Sequence, residues 1–200
     1  MEYQDNFPKQ TLRNRYYILT AQGVNHLTVP VQKASNLPSN QVKISYDQNW
    51  PKQHAETIAA AYGKSAYWLH YSPMIRHWIE TPYTYLQEMQ QAALTICLEA
   101  LGLQVPIRQT DRYYVATDMG EDSPDWCDAR DLITKTNFAE MPALNDYRQC
   151  FGPSQEAKQG PTLATSVFHP GLSMIDLLFC QGPAAIDFVP KYELWATRST

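Results

Sequence analysis

Lys9-Gln10-Thr11-Leu12-Arg13-Asn14-Arg15 puts three cations within one short stretch of a chain that has 16 Lys and Arg in 200 residues and a net charge of -4. Chemically this is an anion grip. Arg13 and Arg15 offer planar forks of N–H donors that match a carboxylate or phosphate, and Lys9 adds a point charge. Gln10, Thr11 and Asn14 supply directional hydrogen bonds to a sugar, ribose or amino-acid group. In an extended segment Arg13 and Arg15 project to one side and Asn14 to the other. The plainer reading is a solvated, basic entry to an edge strand, where cations block strand aggregation.

His54 is the best acid–base candidate, because its charge changes near neutral pH. It falls one helical turn after Trp50, a candidate ligand contact. A partly buried histidine bonded to a carbonyl is the alternative. His70 and His77 could share a helix face, but their spacing is not the four-residue step typical of metal pairs. His26 and His169 read as structural. Ser173 and Asp176 fit a helix cap better than a nucleophile, since no G-x-S-x-G elbow surrounds the serine. No phosphate-cradling glycine loop, dinucleotide fingerprint or carboxylate-rich metal motif occurs, so neither a cofactor nor a metal is expected.

These residues must be positioned by a fold of matching pattern. Tyr16–Thr20 and His26–Val31 read as two strands of a hairpin around a turn at Ala21–Asn25, with Pro30 suited to an edge or a strand end. Val42–Ser45 reads as a third strand. Residues 49–62 are helical by the recurrence of Trp50, His54, Ile58 and Ala61, with Pro51 in the first turn and Gly63 as the stop. A less regular helix is expected over 66–80. The spacing predicts a third helix over 85–101, with Thr84 and Gln87 as its capping box. Short strands are expected at 105–107 and 113–115. Residues 152–166 are the candidate mobile loop. A helix follows Leu172, capped by Ser173 and Asp176 and stopped at Gly182, and Pro183 can open another. Strand–helix alternation favours an α/β fold: one domain over 1–200, with a small, mostly antiparallel or mixed sheet flanked by helices.

Composition narrows the function classes. The apolar share of 44% and charged share of 18% fit a globular chain. Mild acidity argues against a nucleic-acid partner, and no apolar run is long enough for membrane insertion. The amino terminus has no apolar core of a signal peptide, which points to the cytoplasm. Cys97, Cys127, Cys150 and Cys180 contain no CxxC and read as reduced thiols. No feature indicates an oligomeric state.

Taken in order, the KQTLRNR block, His26-Leu-Thr-Val-Pro-Val, Asp47-Gln-Asn-Trp50 with His54, Asp146-Tyr147-Arg-Gln149-Cys-Phe151, and Phe168 through Pro183 resemble the WbqC-like protein family. KQT-x-RNR and LSMIDLLF-x-x-GP are the most specific parts. The resemblance spans nearly the whole chain and implies a bacterial protein of surface-polysaccharide (O-antigen) gene clusters. It further implies a transferase that moves an acyl or aminoacyl group, glycine among them, onto a nucleotide-linked sugar. The partner would then be a small anionic substrate: a nucleotide sugar, a phosphate or a carboxylate. The other class left open is a non-catalytic ligand-binding or assembly module. Family members usually carry a further strand and a proline-rich segment ahead of the KQT block, so an N-terminally shortened domain is expected. The stretch 152–166 is longer than the family's usual connection.

Overall fold

The computed structural model describes residues 4–7, 12–34, 36–110, 112–113, 146–151 and 168–189. Strand β1 (Arg15–Thr20) pairs antiparallel with β2 (Gly23–Thr28), Tyr16 opposite Leu27 and Ile18 opposite Asn25. The turn is shorter than the pattern predicts. Only Ala21 and Gln22 connect the strands, because Gly23 takes φ +107° and Thr20 Oγ1 donates to the Gly23 carbonyl. This pulls β2 back to end at Thr28, so Pro30 lies beyond the ladder, where its missing N–H costs nothing.

Val42–Ser45 does not form the expected third strand. It is an extended segment held by isolated bridges, Val31 to Ile44 on one side and Lys43 to Tyr85 on the other. Residues 105–107 likewise carry no strand. Residues 114–145 and 152–167, which include most of the 113–115 strand and the 152–166 loop, lie outside the described residues.

Among the described residues there are four α-helices: α1 (Trp50–Tyr62), α2 (Trp68–Glu80), α3 (Leu86–Ala100) and α4 (Met174–Gln181), the last followed by a 3-10 stretch, Gly182–Phe188. In α1 the buried set Trp50, His54, Ile58, Ala61 and Tyr62 follows the helical period. Helix α2 runs continuously through Pro73. The capping box of α3 sits one residue later than predicted. Tyr85 is held extended by its bridge to Lys43, so the helix opens at Leu86 and Glu88, not Gln87, accepts from the Thr84 and Tyr85 N–H groups. The sheet and helices close on one core that includes Ile18, Val42, Ile58, Tyr62, Ile79, Met89 and Phe179. Among the described residues, no helix is long and apolar enough to cross a membrane.

Candidate functional site

The structure disperses the KQTLRNR block. Lys9 and Gln10 lie outside the described residues. Arg13 is committed within the fold: its guanidinium ion-pairs with Asp5 and donates to Ser39 Oγ at 2.8 Å, and Ser39 Oγ in turn donates to Asp5. Asn14 Nδ2 donates to the Val29 carbonyl, which holds the strand entry closed. Arg15 stands on the face of β1 that carries Tyr17, opposite the face of Tyr16. Its Nε is buried without a hydrogen-bond partner.

Trp50 and His54 come together, but in the core. Trp50 is 2% exposed, donates Nε1–H to the Ser45 carbonyl, and packs 5.0 Å from the His54 ring. His54 is 6% exposed, and its Nδ1 is 2.8 Å from the Tyr16 hydroxyl. Burial pushes the His54 pKa down to about 4. It is therefore neutral at pH 7 and turned toward Tyr16.

This has a sign-determined consequence for stability. Above pH 6.5 His54 is neutral in both folded and unfolded states. As pH falls from 6.5 toward 4, the unfolded chain takes up a proton that the folded chain refuses, and stability drops by on the order of 2 kcal/mol. His54→Gln is expected to flatten that part of the pH profile in urea denaturation. An equally steep profile in the variant would show that other groups carry the acid sensitivity.

A second cluster was not expected from local pattern. Asp176 is fully buried. Its carboxylate accepts from the Tyr62 hydroxyl at 2.7 Å and the Tyr147 hydroxyl at 2.6 Å. The Tyr62 hydroxyl also accepts the Leu19 N–H at 2.9 Å, so this network ties β1, α1, α4 and the 146–151 segment together. Ser173 occupies the N-cap position but makes no capping bond through its side chain. Asp176 is thus an internal acceptor and not a capping-box partner. Its burial raises its pKa above 3.8, against the lowering effect of the hydrogen bonds from Tyr147 and Tyr62. One signal was available: the helix around Asp176 is apolar on every side, so its one charged residue must be buried and hydrogen-bonded.

Beside this network a cleft of about 870 Å³ opens between the end of α1, the turn Lys64–Ala66, the segment Arg148–Phe151 and the last turn of α4. Lys64 and Arg148 are exposed at it, and no ion pair among the described residues engages either. Gln149 is buried and clamps the His169 backbone, donating to its carbonyl at 2.8 Å and accepting its N–H at 3.0 Å. Cys150 and Cys180 also line the cleft. A smaller cleft of about 570 Å³ shares Ala60, Ala61 and Phe151 with it and reaches the β1–β2 turn. The cationic block enters β1 at the other end, about 17 Å away along the strand.

The arrangement defines a small α/β domain: a two-stranded antiparallel sheet flanked by helices, with a cationic, thiol-bearing cleft over a buried carboxylate. The chain belongs to the WbqC-like protein family, whose model matches residues 3–188. It is also similar to an uncharacterised Mycobacterium tuberculosis protein, Rv1507c, with 23% identity over 211 residues that cover 94% of this chain and 85% of the relative. No solved structure matches it. The helix-opening block at Leu172–Phe179 meets β1, the strand that the KQTLRNR block leads into, where the Ser173 N–H donates to the Tyr17 carbonyl at 2.8 Å.

Proposed function

We propose that this protein is a transferase of bacterial surface-polysaccharide biosynthesis, moving an acyl or aminoacyl group, such as glycine, onto a nucleotide-linked sugar in the cytoplasm. Membership of the WbqC-like family supports the reading. The observation that carries the reading at residue level is the cleft of about 870 Å³ with Lys64 and Arg148 at its edge. A nucleotide sugar is large and doubly anionic at its diphosphate, and two cations on one concave surface suit it. Arg15 is retained as a second anion contact, because its Nε is buried and unpartnered.

Calorimetric titration with nucleotide sugars tests this. The double variant Lys64→Ala/Arg148→Ala is expected to lose at least about tenfold in affinity, since each charged contact is worth roughly 1 kcal/mol or more. Both residues are exposed, so stability should change by no more than about 0.5 kcal/mol. Unchanged affinity in the double variant would remove the cleft from the proposal, and Arg15→Ala tests the head of β1 in the same assay.

The second reading, a non-catalytic binding or assembly module, is favoured by one observation. Arg13, Arg15 and His54 do not converge: Arg13 is tied to Asp5 and Ser39, and His54 packs on the opposite face of β1 from Arg15. Incubation with a nucleotide sugar and an activated glycyl donor separates the readings. A mass gain on the sugar supports the transferase, and binding without turnover supports the module.

A further inference from the structure

Cys150 and Cys180 are 30 residues apart in sequence, yet their sulfurs are 3.4 Å apart at the cleft, one thiol hydrogen-bonding the other. Both are free thiols. Their backbones are held in place around them. Gln181, next to Cys180, donates from Nε2 at 3.1 Å to the carbonyl of Arg148, two residues before Cys150, and the buried Gln149 side chain anchors the same segment to His169. Disulfide closure, at an S–S length of about 2.05 Å, needs the sulfurs to approach by only about 1.4 Å.

The two thiols are not equivalent. Cys150 is exposed, whereas Cys180 is half-buried in the last turn of α4. The hydrogen bond from Cys180 lowers the Cys150 pKa, and Arg148 acts in the same direction. The Cys180 thiol is pushed up by its bond to Cys150, by burial and by the nearby Asp176. Cys150 thus has the character of an attacking thiolate and Cys180 that of a resolving thiol.

We infer that Cys150 and Cys180 form a redox-active dithiol that exchanges with a small anionic disulfide entering the cleft beside Lys64 and Arg148. The Cys150 thiolate attacks one sulfur of the disulfide, breaks its S–S bond and releases one small thiolate. Cys180 then gives up its proton and attacks the Cys150 sulfur, expelling the second small thiolate. Two protein thiols are oxidised to a disulfide, one external disulfide is reduced to two thiols, and the two cysteine protons pass through solvent to those thiols. The closed form straps the 146–151 segment to α4 and removes the nucleophilic thiolate from the cleft.

Oxidised glutathione, which carries several carboxylates, is the probe, with peptide mass mapping of the full chain as the readout. The native sequence is expected to yield a Cys150–Cys180 disulfide. Cys180→Ser is expected to stop at glutathione attached to Cys150, and Cys150→Ser to react at least about tenfold more slowly at position 180. Lys64→Ala/Arg148→Ala should slow the reaction with oxidised glutathione several-fold more than with the uncharged hydroxyethyl disulfide. Persistence of both thiols, a disulfide built on Cys97 or Cys127, or a stalled glutathione adduct on the native sequence would overturn the dithiol assignment. Equal slowing with both disulfides would overturn the anionic specificity. The readout is thiol chemistry, so a failure of nucleotide-sugar binding leaves it standing.

Discussion

Asp176→Ala is expected to destabilise the fold by about 3 kcal/mol, because it strands the buried Tyr62 hydroxyl and the half-buried Tyr147 hydroxyl at once. The Tyr62 hydroxyl is engaged on both sides: its oxygen accepts the Leu19 N–H, and its proton is donated to Asp176. Tyr147 loses its acceptor as well. Asp176→Asn is expected to behave differently. An amide oxygen can accept from Tyr62, and the amide nitrogen can donate to a reoriented Tyr147 hydroxyl. It should stay within about 1 kcal/mol of the native sequence at pH 7.

Both substitutions also remove a titrating carboxyl, so each should abolish its pH dependence. The folded-state pKa of Asp176 is raised by burial, so its contribution is complete below pH 3.8 and is lost as pH rises through the elevated folded value. This opposes His54, whose contribution is lost as pH falls below 6.5. Urea denaturation from pH 4 to 8 should therefore show the Asp176 slope vanish in Asp176→Asn, while the His54 slope persists. If Asp176→Ala matches the native stability, the buried network is not what joins α1 to α4.

Gly182→Ala is expected to cost about 3 kcal/mol, or roughly 6–12 °C in Tm for a domain of this size. Gly182 sits between α4 and the 3-10 stretch at φ +58°, ψ -130°, a region glycine alone occupies comfortably. An added Cβ would also run into the Tyr67 ring, and Tyr67 is itself anchored by donating its N–H to the Phe179 carbonyl. Gly102→Ala is the control. Gly102 also has positive φ, +68°, but open space where a Cβ would go, so its loss is confined to backbone strain of about 1 kcal/mol. Equal melting points for the two variants would show that the Tyr67 contact contributes nothing.

Much of this architecture is local and was legible as such. The aromatic and β-branched run at Tyr16–Leu19, the apolar recurrence through Trp50, His54 and Ile58, and the stripe from Leu86 to Ala100 each set the period of a strand or helix. Gly182 and Pro183 marked where α4 ends. The errors were also local. A short-armed capping pattern places Asp176 at the helix end although it bonds Tyr62, and the run Val42–Ser45 has a strand's composition although only isolated bridges reach it. Chain pattern reports what a segment prefers, not which partner reaches it.

The sequence by itself determined the hairpin, the four described helices, the apolar character of α4 and the family, because these depend on residues close together along the chain. Only the tertiary structure decided which charged and polar groups remained available. It tied Arg13 to Asp5 and Ser39, buried His54 between Trp50 and Tyr16, and turned Asp176 inward to Tyr62, 114 residues away in sequence. It also brought Cys150 onto Cys180 at a cleft edged by Lys64 and Arg148. The reason is physical: burying a polar group is tolerable only when a partner meets it, and those partners come from segments that folding alone brings into contact.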